Sequence, residues 1–133
     1  MDYRSFDRKC EYNGYKFTVN DLGGTMLEEE YIKLIDILEE KSPKRICELG
    51  SGQSTLIFEK YCHSNSGKSF FSIEHDVNYA TTSSIIFKLI EETSINIHGK
   101  TYYNCNKYDG FEDWLDKQDK FDLVLIDGPY GFN

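Results

Sequence analysis

Three carboxylates and one glycine-rich turn in this chain have the residue types and the spacing of a ligand site. The segment from Lys44 to Thr55 passes through a short apolar stretch and Glu48 into a turn that contains Gly50 and Gly52. This order predicts a buried strand, a tight loop and a helix whose first N–H groups face the space above the loop. Glycine permits a positive φ and leaves room where a ligand approaches the backbone. An ordinary strand–turn–helix without a ligand is the alternative.

Two cofactor motifs compete for this turn. The NAD motif G-x-G-x-x-G needs a third small residue where this chain has Thr55, so that match is incomplete. A second motif, E/D-x-G-x-G-x-[GS], is matched in full by Glu48, Gly50, Gly52 and Ser54. On these residues the chain resembles the class I S-adenosylmethionine-dependent methyltransferases, and Ser51 lies within the same cofactor-binding loop. The acidic residue suits a cationic methionine moiety and would repel a pyrophosphate. An NAD-dependent enzyme is the less favoured alternative.

The second carboxylate, Glu74, ends the next predicted strand, residues 69–76, and follows Gly50 by 24 residues. An acidic residue about twenty positions beyond such a turn is suited to accept the hydroxyls of a ribose. The resemblance extends to this position, because the second motif of the family is an acidic residue there. His75 comes next and either lies over the adenosine or faces solvent.

The third carboxylate, Asp127, follows four consecutive apolar residues, which predict a strand buried on both faces. The run from Phe121 to Gly131 resembles the fourth motif of the family and implies that Asp127 lies beside the donor methyl. There it would act as a general base, hold a divalent cation, or only accept loop N–H groups. In the resembled family an acidic or amide side chain near Asp109 binds the adenine amino group. Asp109-Gly110 is equally an ordinary turn signal.

Composition narrows the class of protein. The chain has 133 residues, 39% of them hydrophobic and 29% charged, which predicts one globular domain. A net charge of −8 argues against nucleic-acid binding and against an anionic membrane surface. The four cysteines show no C-x-x-C spacing, so we expect free thiols, no metal site and a cytoplasmic protein.

The remaining elements predict an α/β fold. Alternation around Asn13-Gly14 predicts a hairpin within an N-terminal extension, residues 1–21. Residues 22–133 then form an incomplete cofactor-binding domain, with helices over 26–40, 78–92 and 111–118 and a further strand over 101–105. We expect a Rossmann-like, mostly parallel sheet flanked by helices, with its ligand at the carboxyl ends of the strands. The family sheet has seven strands, and this chain supplies four, so the sheet is expected to be truncated after the fourth.

These expectations converge on an S-adenosylmethionine-dependent methyltransferase, or the cofactor-binding half of one. The D-G-P ending favours methyl transfer to oxygen of a small-molecule or glycan-like acceptor. The alternative is a non-catalytic module that binds a nucleoside or a partner chain. In that case the exposed sheet edge would pair with another chain, for example in a homodimer.

Overall fold

The computed structural model describes residues 6–127 of the chain. Three helices lie in this part: α1 (Glu28–Lys41), α2 (Gln53–Ser64) and α3 (Phe111–Asp116). Eight strands accompany them: β1 (Asp7–Tyr12), β2 (Tyr15–Asn20), β3 (Arg45–Leu49), β4 (Ser69–Glu74), β5 (Ser84–Ile86), β6 (Leu89–Ile97), β7 (Lys100–Tyr108) and β8 (Leu123–Ile126). The class is mixed α/β, as the alternating pattern predicts.

A four-stranded parallel sheet forms the centre, in the spatial order β5-β4-β3-β8. The chain therefore starts in β3, adds β4 and β5 on one side, and returns to add β8 on the other. All four strands point the same way, so their carboxyl ends share one edge. Leu49 pairs with Ile73 on one neighbour and with Ile126 on the other, which brings the residues that follow these strands together.

One face of the sheet carries the main apolar core. Helices α1 and α2 and the hairpin β1–β2 pack there around Ile46, and the fully buried side chains include Ile35, Leu38 and Phe58. The hairpin turn contains Asn13-Gly14, with both residues at positive φ, as predicted for a two-residue turn. The predicted N-terminal hairpin is confirmed over residues 7–20, whereas residues 1–5 of that extension lie outside the described part.

The opposite face is covered by a smaller aromatic cluster. Cys47 and Ile73 point to this side and contact Tyr108, with Phe111, Trp114 and Phe121 packed around them. Strands β6 and β7 form a separate antiparallel hairpin that turns at His98-Gly99. The predicted strand at 101–105 is therefore part of this hairpin, and β5 occupies the third position in the central sheet.

The predicted helix over residues 78–92 is wrong. This segment forms turns, the short strand β5 and the start of β6. Hydroxyl side chains compete with a helix here, because Ser84 Oγ accepts the N–H of Thr81 and Thr81 Oγ1 accepts the N–H of Ser83. The apolar spacing fits a helix, but isoleucines such as Ile85 favour strands, and Ile85 pairs with Ile73.

The prediction that the strand before Asp127 is buried on both faces is also wrong. Within residues 6–127, β8 has β3 as its only strand neighbour, and Val124 and Ile126 are 49% and 73% exposed. The aromatic cluster covers the sheet beneath β3 and β4 and leaves the corresponding side of β8 open. The part of the predicted motif at residues 128–131 lies outside the described residues.

Two further features concern the helices and the cysteines. None of the helices within residues 6–127 has the length and apolar character needed to cross a membrane. All four cysteines are free thiols, and Cys47 and Cys105 are buried.

Candidate functional site

The turn between β3 and α2 lies at the shared carboxyl edge of the sheet. Gly50 has a φ of 99°, a region that favours glycine, and its N–H donates to the carbonyl of Ile73 at 2.7 Å. Gly52 has an extended φ of 172°, so its backbone conformation does not require glycine. A Cβ at Gly52 would meet no atom within 4 Å, which means that this part of the turn borders open space.

Glu48 lies beneath the turn and is fully buried. Ser72 Oγ donates to its Oε1 at 2.8 Å, and the hydroxyls of Ser54 and Thr55, in the first turn of α2, also donate to the carboxyl group. Burial raises the pKa of Glu48 to about 7, although these hydroxyl donors oppose that shift. Glu48 and Ser54, predicted to contact the cofactor, therefore contact each other and position the turn from below.

A chain of hydroxyls continues from this carboxyl group across the sheet. Ser72 shares a hydrogen bond of 2.6 Å with Ser51, and Ser51 shares one of 2.7 Å with Ser84. Ser84 belongs to β5, so the chain spans all three strands on this side of the sheet. The side chain of the predicted site residue Ser51 thus points into the protein, and its backbone forms part of the turn.

Glu74 is 5% exposed and joins the turn to the end of β4. Its Oε1 accepts the N–H of Ser51 at 2.9 Å, and its Oε2 accepts the N–H groups of His75 at 2.9 Å and Asp76 at 3.1 Å. A carboxylate offers about four lone-pair positions, so these three bonds leave room for about one further donor. Glu74 therefore contacts the residue that follows Gly50 in the turn.

Asp127 follows β8 on the other side of β3. Its N–H donates to the carbonyl of Leu49 at 2.7 Å, and its side chain is exposed. Desolvation raises the pKa of the Asp127 carboxyl group, and repulsion from Glu30, in the first turn of α1, and from Glu74 raises it further. Negative charge is therefore concentrated around this edge of the sheet.

Asp109 is less closely tied to the other predicted residues. It is exposed at the base of the β6–β7 hairpin, where its N–H donates to the carbonyl of Lys88 at 2.7 Å. No hydrogen bond of its side chain joins it to the rest of the candidate site within the described residues. The neighbouring Tyr108 lies closer, because its ring packs against His75 at a centroid distance of 6.2 Å.

Residues 6–127 contain no group of three or more His, Cys, Asp or Glu side chains arranged to hold a metal. Two open cavities of about 570 and 470 Å³ are lined by Glu59 and His63 and by Gln53 and Phe17, respectively. The candidate site, called the acidic crevice below, is defined by the open space beside Gly52 and by the carboxylates of Glu74 and Asp127.

Sequence reasoning missed several residues that shape this crevice. Ser72 and Ser84 match no motif, and the acidic Glu30 is explained by its place in the first turn of a helix. The one signal at Tyr108 was its place between the predicted strand over 101–105 and Asp109-Gly110. Their roles depend on which strands become neighbours, which the local sequence does not specify.

Hydrogen bonds join Glu74 to the turn after β3, and Asp127 to Leu49, the residue before that turn. No family model, no curated protein and no solved structure matches this chain.

Proposed function

We propose that this chain binds S-adenosylmethionine and is a methyltransferase, or the cofactor-binding half of one, with a Rossmann-like sheet. The observation that carries the proposal is the hydrogen bond from the N–H of Ser51 to Glu74, because it places the glycine turn and the acidic strand end side by side. A nucleoside needs both: a turn with little side-chain bulk and a carboxylate for the ribose.

The strand order supports the same proposal. Numbered along the chain within the central sheet, the spatial order β5-β4-β3-β8 is 3-2-1-4. Doubly wound nucleotide-binding sheets contain this order and bind ligands at the point where it reverses, beyond the carboxyl ends of the strands. That point lies between β3 and β8, next to Gly50 and Asp127.

Charge favours a cationic ligand over a phosphorylated one. Desolvation raises the pKa of Asp127, and repulsion from Glu30 and from Glu74 raises it further. A sulfonium or an α-amino group would relieve that repulsion, whereas the pyrophosphate of NAD would add to it. This charge pattern favours S-adenosylmethionine over NAD as the ligand.

Under this proposal, some site residues position the turn and others contact the ligand. Glu48, Ser54 and Ser51 position the turn through their buried hydrogen bonds, and the backbone around Gly52 faces the ligand. Glu74 offers its remaining lone pair to a ribose hydroxyl. Asp127 lies beside the transferred methyl and accepts a proton from a hydroxyl acceptor during in-line transfer, in which alignment of donor and acceptor supplies most of the rate.

Isothermal titration of the full chain tests the proposal. We expect S-adenosylmethionine and S-adenosylhomocysteine to bind with micromolar affinity and NADH to give no heat. Transfer of a labelled methyl group to a panel of small hydroxyl compounds then tests catalysis. Absence of binding by both sulfur nucleosides, or tighter binding of NADH, would overturn the proposal.

A second candidate function is a binding module that pairs through β8. The exposed side chains of Val124 and Ile126 favour it, because apolar side chains on an edge strand promote pairing with another chain. In this case the chain would self-associate and would bind no sulfur nucleoside. Sedimentation and titration together distinguish the two functions.

A further inference from the structure

Three buried polar side-chain atoms have no hydrogen-bond partner within the described part of the chain. They are Arg45 Nε, His75 Nδ1 and the hydroxyl of Tyr108. Native proteins pair nearly all buried polar groups, because an unpaired one loses its hydrogen bond to water. Two of these three, on His75 and Tyr108, lie in adjacent rings at the acidic crevice.

The unpaired hydroxyl of Tyr108 is the stronger indication. Tyr108 is 6% exposed, and its ring is held between Cys47 and Ile73 on the sheet and Phe111 on α3. His75 Nδ1 lies 3.3 Å from Glu74 Oε2, so that atom has an electrostatic neighbour even without a well-formed hydrogen bond. The Tyr108 hydroxyl forms no hydrogen bond with any group among residues 6–127.

The surroundings of Tyr108 define what it can do. Burial raises the pKa of its phenol, and the carboxylates of Glu74 and Asp127 raise it further. The hydroxyl therefore stays protonated and can donate a hydrogen bond at neutral pH.

We infer that Tyr108 is a ligand-binding residue, whose hydroxyl donates a hydrogen bond to the nucleoside portion of the bound molecule. This inference rests on the proposed function and names a contact within the same site. The nucleoside portion is favoured because Tyr108 packs on His75, which directly follows the proposed ribose-binding residue Glu74. A ribose oxygen or a purine ring nitrogen is a suitable acceptor.

Tyr108→Phe separates this role from a structural one. If the hydroxyl forms a hydrogen bond only with a ligand, its removal breaks no bond in the unliganded protein and eliminates a buried polar group. The unfolding free energy of the unliganded variant should then be unchanged or higher. We expect the same variant to bind S-adenosylhomocysteine roughly tenfold more weakly, the loss of about one hydrogen bond. Tyr103→Phe is the matched control, since Tyr103 is on the same strand and 65% exposed.

A fragment of the ligand shows which portion of it the Tyr108 hydroxyl contacts. Methylthioadenosine, which retains the nucleoside, should lose the same factor in Tyr108→Phe as S-adenosylhomocysteine does. An unchanged affinity for both compounds would overturn the inference while the proposed function stands. A loss confined to S-adenosylhomocysteine would also overturn it, because the contact would then lie on the amino-acid portion.

The stability measurement excludes the structural explanation. A clear decrease in the unfolding free energy of Tyr108→Phe, with affinity unchanged, would assign the hydroxyl to a buried water or to another part of the chain, and would overturn the inference. Failure of the wild-type chain to bind either nucleoside would instead overturn the proposed function, and this inference with it.

Discussion

The N–H of Ser51 and Oε1 of Glu74 are 2.9 Å apart, and this hydrogen bond joins the turn after β3 to the end of β4. Glu74 also accepts two N–H groups from the loop that follows it. One carboxylate therefore fixes both loops that border the acidic crevice. The geometry of the site depends on this residue before any ligand is bound.

We expect Glu74→Gln to destabilise the protein and to weaken nucleoside binding. The amide retains one acceptor oxygen and loses the other, so at least one buried N–H loses its partner. Hydrogen bonds to a charged group contribute about 1.5–3 kcal/mol, and the unfolding free energy should fall by about that amount. Urea denaturation measures it. Glu29→Gln, at an exposed position of α1, should change stability by less than about 0.5 kcal/mol; an equal loss in both variants would contradict the assigned role.

We expect the stability of the protein to depend on pH through the ionisation of Glu48. Burial raises its pKa to about 7 from an ordinary 4.5, so the folded protein holds a proton that the unfolded chain releases earlier. The resulting stabilisation is fully present below pH 4.5 and is lost as the pH rises through 7. The shift corresponds to about 3 kcal/mol at most.

The comparison of wild type with Glu48→Gln isolates most of this contribution, because groups remote from Glu48 titrate equally in both proteins. We expect the difference in unfolding free energy to favour wild type at pH 5 and to shrink by pH 8. Urea denaturation at four pH values measures it. A difference that stays constant across this range would show that Glu48 is ionised throughout.

Local patterns were sufficient to predict the turn and the two strands beside it. An apolar run that ends in Glu48 and Gly50 predicts a strand followed by a tight turn. Gly50 has a φ of 99°, which glycine adopts more readily than other residues. The Asn13-Gly14 hairpin was predictable for the same reason. Strand β4 and the position of Glu74 followed from spacing alone.

The errors have a different cause. Residues 78–92 carry apolar side chains at intervals that fit either a helix or strands, and pairing of Ile85 with Ile73 decides between them. The burial of Glu48 depends on Ser72 from another strand. The unpaired Tyr108 hydroxyl likewise results from tertiary packing. Such features require knowledge of which elements become neighbours.

Substitution by alanine should affect stability at Gly50 but not at Gly52. Gly50→Ala forces a side chain onto a positive φ and should lower the unfolding free energy by about 1–3 kcal/mol. Gly52→Ala meets open space at an extended φ, so we expect near wild-type stability. Its new methyl group would occupy the proposed ligand space and weaken S-adenosylhomocysteine binding at least tenfold. Undiminished binding by folded Gly52→Ala would place the ligand elsewhere.

The open side of β8 predicts self-association at high protein concentration. Ile126 is 73% exposed on a strand with one neighbour in the described sheet, so Ile126→Lys should reduce association without loss of stability. Ile97→Lys, at an exposed position of the β6–β7 hairpin, is the control and should leave association unchanged. Sedimentation equilibrium compares the three proteins. Equal association in all three would exclude pairing through this strand.

Under the proposed function, we expect Asp127 to favour S-adenosylmethionine over S-adenosylhomocysteine, which lacks the sulfonium charge. Removal of its charge by Asp127→Asn should weaken S-adenosylmethionine roughly fivefold and S-adenosylhomocysteine less than twofold, because only the former carries a sulfonium. The carboxyl pKa is raised by desolvation and by Glu30 and Glu74, so wild-type affinity for S-adenosylmethionine should increase as the pH rises through it. Asp127→Asn should lack that increase. Titration calorimetry at pH 4.5 and 7 measures both effects, and an equal loss for the two compounds would separate Asp127 from the methyl group.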